Sequence, residues 1–110
     1  MTKPAIVDQT NFQQLVLDSK QPTLVDFWAA WCAPCLAVAP TIEELVQEYE
    51  GKINFAKVNV DRNSSLATKY GIMSIPTLLV FKDSKPIKQI VGLKSKSELK
   101  EILDDTLTEA

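Results

Sequence analysis

The chain has 110 residues, 45% of them apolar and 24% charged, with two cysteines and no histidine. That suits one domain, residues 1–110, with a core of its own, and it argues against disordered, collagen-like and membrane-spanning classes. A formal net charge of −2, with the lysines and Arg62 scattered rather than striped, argues against a nucleic-acid partner.

No apolar stretch follows Lys3, so the N-terminus does not read as a secretory signal. A reducing, cytoplasmic setting is expected, although a processed organellar chain would read the same. Ala5-Ile6-Val7 is a short strand candidate, and Asp8 or Thr10 can cap a helix carrying Phe12, Leu15 and Val16 on one face until Pro22. Thr23 to Trp28 has apolar residues on both faces, the mark of a buried strand, with Asp26 as the exception. A long helix follows, with Val38, Ile42, Leu45, Val46 and Tyr49 in one stripe, Pro40 as an expected kink and Gly51 as its close.

Ile53 to Val60 reads as the next strand, with Lys57 set among apolar positions. Leu66, Ala67 and Tyr70 predict a short helix ending at Gly71. Ser74-Ile75-Pro76-Thr77 then feeds the apolar strand Leu78 to Phe81, and a polar turn from Lys82 to Pro86 leads to an antiparallel strand, Ile87 to Val91. Ser95 and Glu98 form a capping-box pattern before a helix with Leu99, Ile102, Leu103 and Leu107 in one stripe. The order is β-α-β-α-β-α-β-β-α, an α/β fold with a parallel half and a closing hairpin.

The chemistry concentrates at Trp31-Cys32-Ala33-Pro34-Cys35, where the only cysteines stand two residues apart at a strand-to-helix junction. An unperturbed thiol is only about 3% thiolate at pH 7. The first turn of a helix corrects this, because its free N–H groups and dipole favour an anion, and Pro34 fits where no N–H is needed. Cys35, one turn further in, can reach back to Cys32. The rival readings are a static disulfide or half a metal site. Zinc ordinarily takes four ligands, so two cysteines without histidine would need carboxylates or a second chain.

Trp28 to Cys35 resembles the active-site segment of the thioredoxins, and the similarity runs from about Phe12 to Leu107, with Asp26, Pro40, Lys57, Pro76-Thr77 and Gly92 at matching places. The resemblance implies the thioredoxin fold, a central mixed five-stranded sheet flanked by about four helices. It implies reduction of protein disulfides with Cys32 as nucleophile and Cys35 as resolving thiol, and no cofactor beyond that pair and no metal. In thioredoxins the matching acid serves the second thiol, which assigns Asp26 the proton exchange with Cys35; burial would raise its pKa toward neutrality. Lys57 would moderate Asp26, its competing reading being a strand lysine that snorkels to solvent. Pro76 matches the family's cis proline, leaving the backbone of Ile75 to pair with an extended substrate, with Gly92 keeping the nearby surface flat. Trp31, Ala33, Pro34 and Met73 complete the expected substrate-binding rim.

Ala33 replaces the glycine usual in thioredoxins, and Leu36 and Met73 stand where charged residues are common, so the rim is more apolar than the family's. The expected partners are disulfide-containing proteins and a thioredoxin reductase, NADPH- or ferredoxin-dependent, acting on a monomer without nucleic acid or membrane. The alternatives are a thioredoxin-like oxidase or isomerase, a non-catalytic binding module, and a metal-binding dimer.

Overall fold

The computed structural model describes residues 3–109. Five strands form one mixed sheet in the order β1-β3-β2-β4-β5: β1 (Ala5–Ile6), β2 (Thr23–Trp28), β3 (Asn54–Asn59), β4 (Thr77–Lys82) and β5 (Lys85–Val91). β1 and β2 flank β3 in parallel, while β2–β4 and β4–β5 are antiparallel. The expected mixed sheet is therefore present. β2 lies at its centre, which is why its side chains are apolar on both faces.

Two cores follow from the alternation of side chains across the sheet. On one face Leu24, Phe55, Leu78, Val80 and Ile90 meet α1 (Ala33–Glu48) and α3 (Lys96–Thr108) through Val38, Ile42, Leu45, Leu99 and Leu103. On the other, Val25, Phe27, Val58, Leu79 and Phe81 meet Phe12, Val16 and Leu66 of α2 (Ser64–Lys69). Asp26 belongs to the strand positions that face α1, since it lies two residues from Leu24 in β2.

Several local expectations are refined. The first helix is a π-helical turn, Gln13–Leu17, closed by a bond from Asp18 N to Gln13 O of 2.8 Å. Neither Asp8 nor Thr10 caps it: the N-cap is Phe12 without a side-chain bond, and Asp8 instead organises the turn before it, with Oδ1 accepting from Thr10 N at 2.8 Å and Asn11 N at 3.3 Å. The wider turn brings Phe12 and Val16 to the sheet and leaves Leu15 exposed. α1 runs unbroken through Pro40, whose missing N–H leaves the Leu36 carbonyl without its helical donor.

The β4–β5 connection is tighter than its polar composition suggests. Asp83 and Ser84, with φ of 54° and 68°, form a two-residue turn whose twist suits the hairpin, and Pro86 lies inside the edge strand β5 opposite Phe81. Ser95 and Glu98 form the expected capping box on α3. Its buried stripe is Leu99, Leu103 and Thr106, not Leu107. With 3.6 residues per turn, Thr106 returns to within about 20° of Leu99 and Leu107 to about 80°, at the edge of the apolar face.

Candidate active site

β2 delivers the chain to a turn in which Cys32 N donates to Ala29 O at 3.2 Å, and α1 begins at once. Cys32 is the N-cap residue of α1, extended at φ −93° and ψ 106°, and its Sγ accepts from Cys35 N at 3.3 Å. The sulfur thus takes the place of a capping oxygen, held by a free backbone donor at the positive end of the helix. Ala33 and Pro34 occupy the first helical positions, where a proline loses no bond. Cys32 and Cys35 are joined as a disulfide with Cα atoms 5.2 Å apart.

Both cysteines are buried, with Cys32 only 4% exposed, packed with Ala29 against Trp28, Val60 and Ile75. The approach to Cys32 is bordered by exposed residues, Trp31 at 70% and Met73 at 94%. Across from the pair, the Ile75–Pro76 peptide is cis, and the Ile75 carbonyl lies 3.8 Å from Cys32 Sγ. Gly92 N donates to Pro76 O at 2.9 Å, and its φ of +88° is one that side chains rarely adopt. A groove of about 330 Å³ opens beside this segment, lined by Trp31, Val60, Ala67, Ile72, Met73, Ser74 and Ile75.

Asp26 is buried, and its Oδ1 has no hydrogen-bond partner among the described residues. Burial pushes its carboxyl up to about 7, against the pull of the Lys57 charge. Lys57 is the register partner of Asp26 on β3, and its ammonium lies 4.9 Å from the centre of the Trp28 ring. The sequence-expected residues are therefore gathered from four places in the chain, with Leu36 exposed on the same helical turn as Cys35.

One contributor was not foreseen. Asp61 Oδ2 accepts from Trp31 Nε1 at 2.9 Å, and Asp61 is itself held by its N–H to Asn59 Oδ1 at 2.9 Å. An acid just past the end of a strand looks like ordinary turn composition, so only the fold reveals its partner.

A cysteine pair at a helix cap can, as the dithiol, pass two electrons to another disulfide and, as the disulfide, take two from another dithiol, without help from a metal or an organic group. Chemistry of that kind, on this sheet, defines a thiol–disulfide oxidoreductase. The family named Thioredoxin matches residues 3–105. Thioredoxin 1 of Nostoc sp. is 49% identical over 107 residues, 97% of this chain and 100% of the relative. Thioredoxin 1 of Synechococcus elongatus is 47% identical over the same shares, and the thioredoxin of Staphylococcus aureus is 55% identical over 84 residues, 76% of this chain and 81% of the relative.

The chain belongs to the thioredoxin family. It is a protein-disulfide reductase that works by dithiol–disulfide exchange, acts on disulfide substrates and is itself reduced by a reductase. The family needs no cofactor beyond its redox-active cysteine pair. Among the described residues no helix is long and apolar enough to cross a membrane.

Proposed function

We propose that Cys32 is the attacking thiol and Cys35 the resolving one. The carrying observation is the Cys32 sulfur in the capping position of α1, accepting from Cys35 N at 3.3 Å, where a thiolate would gain a charge-assisted hydrogen bond. In the reduced protein, Cys32 thiolate attacks one sulfur of a substrate disulfide, forming a mixed disulfide and expelling the other substrate sulfur as thiolate. Cys35 then loses its proton to Asp26 and attacks Cys32 Sγ. The Cys32–Cys35 bond forms, the mixed disulfide breaks, and the second substrate thiolate leaves. Two electrons have passed from the protein dithiol to the substrate.

Asp26 suits the proton step because it faces α1 and titrates near neutrality, where it can both take and return a proton. Lys57 tunes it through its charge. The substrate's extended backbone pairs at Ile75, beside Pro76, with Gly92, Trp31, Ala33, Pro34 and Met73 forming the rim. The reading extends to a single domain that acts as a monomer in a reducing, cytoplasmic setting, regenerated by an NADPH-dependent or a ferredoxin-dependent thioredoxin reductase.

Trapping tests the roles. Cys35→Ser is expected to accumulate a complex joined through Cys32 to disulfide proteins, and Cys32→Ser is not. Equal trapping by both variants overturns the assignment. Turnover with each class of reductase, and a mass measurement in solution, decide the donor and the monomer.

A further inference from the structure

A second cavity lies apart from the groove beside Cys32. It has a volume of about 630 Å³ and is lined by the segments that follow the three parallel strands: Ile6 to Thr10 after β1, Trp28 and Ala30 at the end of β2, and Lys57, Asn59, Arg62 and Asn63 at the end of β3. β2 leads into α1 on one face of the sheet, and β3 leads into α2 on the other. The chain therefore parts to opposite faces between β2 and β3, and a crevice at the carboxyl ends of strands at such a parting is where open parallel sheets hold ligands.

The walls are built and unequal in their hydrogen bonding. Asn63 is 5% exposed and ties two of the segments together, with Oδ1 accepting from Gln9 N at 3.2 Å and Nδ2 donating to Asn59 O at 3.0 Å. Asp8 is the acid of the lining, and its Oδ1 is committed to Thr10 and Asn11. Three donors on this wall have no hydrogen-bond or ion-pair partner among the described residues: the Lys57 ammonium, the Arg62 guanidinium and the Trp28 indole N–H. Lys57 lies over the face of the Trp28 ring and is the register partner of the buried Asp26, whose carboxyl it acts on through charge without an ion pair.

We propose that this cavity binds a small phosphate monoester, its phosphate held by Arg62 and Lys57 and its organic body against Trp28 and Ile6. On the wall two cations face one engaged carboxylate, while the second acid that acts on Lys57, Asp26, is buried and kept protonated up to about pH 7; that balance suits a dianion better than a singly charged carboxylate, and a guanidinium matches phosphate oxygens in pairs. The volume lies within the usual range for small-ligand sites, roughly 300–1,000 Å³. Since Lys57 is also the register partner of Asp26, the occupant and the redox centre share one side chain.

The test is titration calorimetry of the full chain with adenosine 5′-monophosphate, adenosine and acetate, paired with NMR of the two indole N–H signals. Saturable binding of the monophosphate, with neither adenosine nor acetate binding and with the Trp28 signal moving rather than that of Trp31, is expected. Arg62→Gln, an exposed position outside the redox centre, should weaken binding about tenfold to a hundredfold while disulfide reduction is unchanged. Absence of saturation at ~10 mM, equal binding by Arg62→Gln, or a shift confined to Trp31 would each overturn the proposal.

Discussion

Asp26 and Lys57 are paired in the register of β2 and β3, yet they do not form an ion pair: the lysine ammonium lies over Trp28, and Asp26 Oδ1 is buried without a hydrogen-bond partner. The carboxyl is consequently raised to about 7, by burial first, with Lys57 opposing. In the unfolded chain it returns to its ordinary value near 4. Between those values the folded state holds a proton that the unfolded state releases. Stability tied to Asp26 is therefore complete below pH ~4 and is lost as pH rises through about 7, by roughly 4 kcal/mol in all. Urea unfolding of the oxidised protein should show a falling midpoint from pH 5 to pH 8.5. Asp26→Ala should flatten that decline and be the more stable protein at pH 8.5.

On the proposed mechanism the same pair would set the pH range of the second chemical step. Lys57 holds the Asp26 carboxyl below where burial alone would put it. Lys57→Met removes that opposition, so the rate of release from a preformed mixed disulfide should have its midpoint at higher pH than in the parent protein. Asp26→Asn should slow release at pH 7 with little change in the first attack, because Cys32 does not depend on that base. Rapid-mixing kinetics of the two steps would distinguish them, and an unmoved midpoint in Lys57→Met would remove the lysine from the mechanism.

The sequence carried most of the fold because its signals were local and redundant. β2 is apolar on both faces, Ser95 and Glu98 announce α3, and the cysteine spacing with Pro34 announces the start of α1. What it did not carry depends on geometry between distant residues or on fine angular position. Leu15 fits a helical repeat but falls outside the core because the turn widens. Asp61 looks like turn composition until the fold brings it to Trp31, thirty residues away. The cavity behind Lys57 was invisible because its walls come from the ends of three strands, none bearing a motif.

Asp61 gives Trp31 a fixed orientation at the rim, since the indole N–H is held at 2.9 Å while the ring is 70% exposed. Asp61→Ala frees the ring without touching either cysteine. A protein substrate that covers the rim should then show a KM higher by roughly twofold to tenfold, the worth of one ordinary hydrogen bond. A small aromatic disulfide, which does not need the rim, should be reduced at an unchanged rate. Equal losses with both substrates would point instead to damage at the cysteines.

The angular reading of α3 can be tested by stability alone. Leu103 is fully buried among Leu24, Val80 and Leu99, whereas Leu107, four residues on, is 38% exposed. Truncation to alanine at a closed site removes transfer free energy and leaves a cavity, while at the edge of a helix the neighbours and water close over the gap. Leu103→Ala should therefore cost about 2–5 kcal/mol and Leu107→Ala less than about 1 kcal/mol by urea unfolding at constant pH. Thr106 supplies the control, being fully buried with Oγ1 bonded to Ile102 O at 2.9 Å. Thr106→Val keeps its volume and returns the carbonyl to its helical bond alone, so its effect should be smaller than that of Leu103→Ala. If Leu107→Ala proved as costly as Leu103→Ala, the apolar face of α3 would be turned by about 50° toward Leu107 from where the structure has it, and Thr106 would lie at its margin.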